Sequence, residues 1–299
     1  MSSAIRAEGL VKSYGEQRAV DDLSFEVPWG RVTGFLGPNG AGKTTTLRMI
    51  LGLAAPTSGR SEVMGAPYVN SPTPSRMVGA LLDTQQFHPL RSARNHLRVY
   101  AAPSDLADRR VDEVLELVEL SEAASKKVGH FSLGMRQRLG LAAALLGDPK
   151  LLILDEPANG LDPSGIRWLR SFLHDYATSE RAVFVSSHLL AEMTQVADEV
   201  VVISRGRLVV HSDVDLLLSH AEGGIKVRTD EPERLRDVMI ERGAGAELVA
   251  HDLVLVRGAS VEDIGRAAAA TAIPLFGLDA EVGTLEDAFF ELTQAEAQP

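Results

Sequence analysis

Two groups of residues in this chain have the types and spacing of phosphate chemistry. The run Gly37-Pro38-Asn39-Gly40-Ala41-Gly42-Lys43-Thr44 follows the pattern G-x-x-x-x-G-K-[ST]. Glycines at 37, 40 and 42 permit backbone conformations closed to other residues, so the loop can turn its N–H groups inward onto phosphate oxygens. Lys43 adds a mobile positive charge, the Thr44 hydroxyl suits Mg2+, and Thr45 starts the helix whose positive end faces the same anion. These nine residues are the candidate nucleotide contacts. The second group closes the run Leu151-Leu152-Ile153-Leu154-Asp155-Glu156-Pro157, an apolar strand ending in two carboxylates. Asp155 can hold Mg2+ directly or through water, and Glu156 can reach the water that attacks a γ-phosphate.

Such groups work only if regular elements hold them. Val32 to Leu36 is apolar and partly β-branched, and Thr45 to Leu51 spaces its apolar residues as a helix does, so the glycine loop joins a strand to a helix N-terminus. From Ala4 to about His220, short apolar runs alternate with amphipathic stretches, the pattern of an α/β sheet domain. Strands are expected at Leu23–Val27, Val32–Leu36, Val78–Leu82, Leu151–Leu154, Ala182–Ser186, Val200–Ile203 and Leu208–Val210. Helices are expected at Val111–Leu120, Leu133–Leu146, Gly165–Ala177 and Leu189–Ala197. After Gly223-Gly224 the order becomes βαββαβ, which predicts a small α+β domain over residues 221–299 beside a nucleotide-binding domain over 1–220. A last helix, Thr284–Thr293, places Leu285, Ala288, Phe289 and Leu292 on one face, to seal that domain's core or to meet another subunit.

Composition sets outer limits. With 299 residues and 45% hydrophobic content, the chain can build a sizeable core. No apolar run approaches the length of a membrane span, no basic-then-apolar leader begins the chain, and cysteine is absent, all of which suit a cytosolic protein. The net charge of −11 lies mostly in the last 79 residues, with 7 basic and 16 acidic side chains, against 23 and 25 in residues 1–220. That balance argues against a general affinity for nucleic acid.

With these motifs in order, the chain resembles the nucleotide-binding subunit of an ATP-binding cassette (ABC) transporter. The resemblance implies a P-loop NTPase cassette with a mixed sheet and a helical subdomain, an ATPase using ATP and Mg2+. Phe131-Ser132-Leu133-Gly134-Met135 lies 23 residues before Asp155, where the family carries Leu-Ser-Gly-Gly-Gln. Ser132 and Gly134 match, while Leu133 and Met135 replace glycine and glutamine. In the family this segment engages ATP on the opposite subunit, which implies a head-to-tail dimer of two copies, or of this chain with a homologous subunit, around two ATP. Asp162, in Asn159-Gly160-Leu161-Asp162, matches the residue that helps couple the two sites, and His188 matches the switch histidine that contacts the γ-phosphate and aligns Glu156. Tyr14 matches the aromatic that stacks on adenine.

One departure concerns the family's Mg2+-binding glutamine, at whose place stands Asp83, with Gln85 and Gln86 just beyond; either Asp83 or Gln85 could serve. Phe87–Arg98 then lies where the family docks its integral membrane permease. Arg91, Arg94 and Arg98 suit either pairing with that partner's acidic groups or plain solvation. The resemblance thus implies a cytoplasmic subunit, peripheral on the inner face of the cell membrane. The C-terminal portion is similar to the extension of drug-export ATPases of the daunorubicin or bacitracin resistance kind, which implies an exporter. Two other readings compete: a soluble cassette ATPase acting on ribosomes or DNA, and a P-loop kinase or GTPase, in which Tyr14, Ser132 and His188 would have no place.

Overall fold

The computed structural model describes residues 3–82, 87–189, 193–220 and 224–280. It divides into two compact units, Met1–Asp213 and Val214–Pro299, a few residues ahead of the boundary suggested by the sequence.

In the first unit, β1 (Ile5–Tyr14), β2 (Gln17–Val27) and β4 (Ser58–Val63) form an antiparallel sheet in the order β2-β1-β4. A second sheet contains β3 (Val32–Leu36), β5 (Val78–Leu81), β6 (Leu151–Asp155), β7 (Ala182–Ser187), β8 (Glu199–Ser204) and β9 (Arg207–Asp213). Its order is β5-β6-β7-β3-β8-β9, parallel except for the edge strand β9. All five β3 residues are buried, as a central parallel strand requires. Phe25 of β2 stacks within 5.5 Å of both Phe35 of β3 and Phe184 of β7, which joins the two sheets in one core.

The helices of this unit are α1 (Lys43–Ile50), the short α2 (Pro74–Met77), α3 (Ala93–Ala101), α4 (Asp108–Leu117), α5 (Leu133–Leu145) and α6 (Pro163–Tyr176). α4 ends three residues before the expected Leu120 because Glu119 adopts a left-handed φ of 58°. α5 lies directly on β5, since a Cβ at Gly79 would come within 2.2 Å of the Ala144 carbonyl oxygen. The mixed sheet and the helices between β5 and β6 give the cassette architecture expected from the sequence. Strands β1 and β4 were not expected, and the helix placed at Leu189–Ala197 falls partly outside the described residues.

The second unit begins with α7 (Val214–His220). There follow β10 (Gly224–Arg228), α8 (Pro232–Glu241), β11 (Gly245–Ala250), β12 (Leu253–Arg257), α9 (Val261–Thr271) and β13 (Gly277–Ala280). The sheet order β11-β12-β10-β13, antiparallel throughout, is that of a split βαβ domain. Val227, Val254 and Val256 face Leu235 and Met239 of α8 and Ile264 of α9 in a core of their own. A capping box closes the start of α9, with Ser260 accepting from the Asp263 N–H and Asp263 answering to Ser260. The expected helix Thr284–Thr293 lies outside the described residues.

Candidate active site

In an open parallel sheet, ligands bind beyond the carboxyl ends of the strands. Three neighbouring strands end here together. β3 runs into the Gly37 loop, β6 ends at Asp155 followed by Glu156, and β7 ends at Ser187 followed by His188. The sheet register places Asp155 opposite Ser186 and Leu36 opposite Ser187.

The loop enters α1 through Gly42, whose φ of 106° and whose distance of 2.5 Å from a would-be Cβ to the Ala19 carbonyl oxygen leave no room for another residue. No side chain caps α1, so its first N–H groups are available to an anion. Pro38, Asn39, Gly40, Ala41, Gly42, Lys43, Thr44 and Thr45 line a cavity of about 230 Å³ together with Ala19 and Glu156. Gly37 is not in the lining, but its carbonyl oxygen accepts from the Lys43 ammonium at 2.6 Å. Lys43 is buried, and its Nζ lies 3.5 Å from Glu156 Oε1.

Opposite the loop, two linked networks form. The Thr44 hydroxyl donates to Asp155 Oδ2 at 2.7 Å, and the Ser186 hydroxyl donates to Asp155 Oδ1. Glu156 has a left-handed φ of 50°, its N–H donates to Ser186 Oγ at 3.0 Å, and its Oε2 lies 2.8 Å from His188 Nδ1. Glu156 therefore stands between a lysine and a histidine, as a base acting on water near a phosphate would. Thr44 and Asp155 present adjoining hard oxygen donors, which fits Mg2+, an ion that usually takes one or two protein oxygens and fills its shell with water and phosphate. Among the described residues no cluster of three or more His, Asp or Glu offers a site made by protein alone.

Other sequence-predicted residues lie apart from this cavity. Tyr14, Ser132, Gly134 and Asp162 are not in its lining. Tyr14 is 54% exposed at the β1–β2 turn, with Lys12 Nζ 5.1 Å from its ring centre. Ser132 caps α5, its Oγ accepting from the Met135 N–H at 3.2 Å. Asp162 caps α6, accepting from the Gly165 N–H and the Ser164 hydroxyl at 2.8 Å each, and these bonds hold its carboxyl below the usual carboxylate range. Asp83 and Gln85 lie outside the described residues. Sequence reasoning missed Ser186 and Ala19. Only Ser186 carried a signal, as a hydroxyl at the end of the strand that leads to His188.

Known proteins resemble this chain along most of its length. A family model described as ABC transporter matches residues 20–159, and a model described only as a domain of unknown function matches residues 223–286. The chain is 45% identical over 220 residues to the bacitracin transport ATP-binding protein BcrA of Bacillus licheniformis, covering 73% of this chain and 72% of that protein. It is 33% identical over 298 residues to an uncharacterized ABC transporter ATP-binding protein, YdbJ, of Bacillus subtilis (strain 168), covering 98% of this chain and 96% of the other. A solved structure of the ATP binding subunit of an ABC transporter superposes with a TM-score of 0.64 at 25% identity, covering 88% of this chain and 98% of that one.

Proposed function

The chain belongs to the ABC transporter family as an ATP-binding, ATP-hydrolysing subunit, and from that footing we propose that two copies close around two Mg-ATP and drive a separate membrane permease outward. The observation that carries the catalytic part is the placing of Glu156, 3.5 Å from Lys43 and 2.8 Å from His188 at the edge of the phosphate loop.

The loop N–H groups and Lys43 bind the triphosphate and fix its γ-phosphate. Thr44 and Asp155 would hold Mg2+, which would neutralise charge on the phosphate oxygens. Glu156 accepts a proton from the attacking water, and His188 holds the carboxylate in register through Oε2. Tyr14, exposed at its turn, stacks on adenine. Ser132, at the exposed start of α5, meets the γ-phosphate held by the other copy, so ATP joins the copies and hydrolysis parts them.

No described helix is long and apolar enough to cross a membrane. Transport therefore calls for a polytopic partner, which would place this subunit on the inner face of the cell membrane. The relative named as a bacitracin transport ATP-binding protein supports an exporter and lends nothing to a ribosome or DNA role. Purified Glu156→Gln should lose hydrolysis by about a hundredfold or more while still binding ATP. Hydrolysis at the unmodified rate would remove Glu156 from this role. Affinity capture from solubilised membranes should recover a polytopic permease, and recovery of ribosomes alone would end the transport reading.

A further inference from the structure

The left-handed backbone of Glu156, at φ 50°, is a conformation that persists only where neighbours over-determine it. Two side chains do so. Ser186 Oγ takes the Glu156 N–H at 3.0 Å. From α5, the buried Gln137 donates through Nε2 to the Asn159 carbonyl at 3.1 Å and, more loosely, to the Glu156 carbonyl at 3.5 Å, bracketing the turn that follows the base.

Gln137 lies four residues after Leu133, hence on the same face of α5. Leu133 stands over Gly160, so closely that a Cβ at 160 would come within 2.0 Å of Leu133 Cδ2. From the next residue along, the Arg138 guanidinium lies 4.2 Å from the centre of the Trp168 ring of α6. Three positions of one helix thus grip the segment from Glu156 to α6, and Ser132 caps the start of that helix.

We propose that Gln137 and Leu133 are positioning residues that fix Glu156 for proton abstraction and make the Ser132 end of α5 and the Glu156 turn of the same chain move as one body. This rests on Glu156 being the base and Ser132 the contact for the other copy's ATP. Leu133, which stands where the family has glycine, then acts as a wedge that Gly160 is shaped to receive.

Gln137→Met in the full chain keeps the side-chain length and removes both hydrogen bonds. Its kcat is expected to fall about tenfold to a hundredfold, because small misplacements of a catalytic group are costly. ATP affinity, titrated with a fluorescent analogue, should stay within about twofold, because the phosphate loop is untouched. A wild-type kcat in a folded Gln137→Met protein would overturn the proposal, and so would an equal loss of kcat and of ATP affinity. Where Gln137→Met does not fold, the wedge decides. Gly160→Ala should lower turnover, and adding Leu133→Ala should return part of it, since the collision is gone while the strained φ of 78° remains. Additive losses would overturn the proposal. Glu156→Gln run in parallel separates the two levels. If it still hydrolyses ATP, the base assignment fails; if it is inactive and Gln137→Met is fully active, only the positioning role fails.

Discussion

Glu156 depends on neighbours that act on its backbone as much as on those that meet its carboxylate. The Ser186 hydroxyl serves Asp155 and the Glu156 N–H together, so Ser186→Ala leaves two polar groups short of a partner. That loss should cost about 1–3 kcal/mol of stability in denaturant titrations and lower turnover as well. Lys43→Ala should weaken ATP binding itself, and unchanged affinity in a nucleotide titration would contradict its phosphate role. At this scale the contiguous motifs were legible, since Lys43, Thr44, Asp155 and Glu156 carry their chemistry in type and order. Gln137 was not, because it works through the carbonyls of residues about twenty positions away, and nothing in its local sequence says so. The Asp162 carboxylate, read as a coupling residue, is engaged on both oxygens in capping α6, which sequence order alone does not reveal.

Among elements, the parallel strands announced themselves because burial on both faces demands unbroken apolar runs. β1 and β4 did not, since each buries only some of its side chains and carries charged residues between them. The βαββαβ order of the C-terminal unit was readable because its short strands alternate with two amphipathic helices whose starts are marked by Pro232 and by the capping residue Ser260. α3 offers a test by pH. Its His96 is buried between Phe87 and Tyr100, and Nδ1 has no hydrogen-bond partner among the described residues. Burial first, and then the charge of Arg91, push the imidazole below the ordinary 6.5. As pH falls through 6.5 the unfolded chain takes up this proton before the folded one does, so stability drops on that side and is unaffected by this group above it. Denaturation midpoints should fall with acid in the unmodified protein, and His96→Phe should remove that part of the slope. An identical slope in both would exclude His96 as its source.

At the scale of the molecule, each unit has its own core, and the described residues that line the phosphate cavity belong to the first. Leu235→Ala, in the core of the second unit, should destabilise that unit by about 2–5 kcal/mol while leaving ATP affinity unchanged. Unfolding followed by separate probes, together with a nucleotide titration, checks both halves of this expectation. In the proposed ATP-bound state the unit of action is a pair, with Ser132 of each copy completing the pocket of the other. Sedimentation of Glu156→Gln, with and without Mg-ATP, and again with Ser132→Arg added, tests it most directly. Dimers are expected only with ATP, and their loss when Ser132 is replaced. A single-copy species at saturating Mg-ATP, or a dimer indifferent to Ser132→Arg, would contradict it.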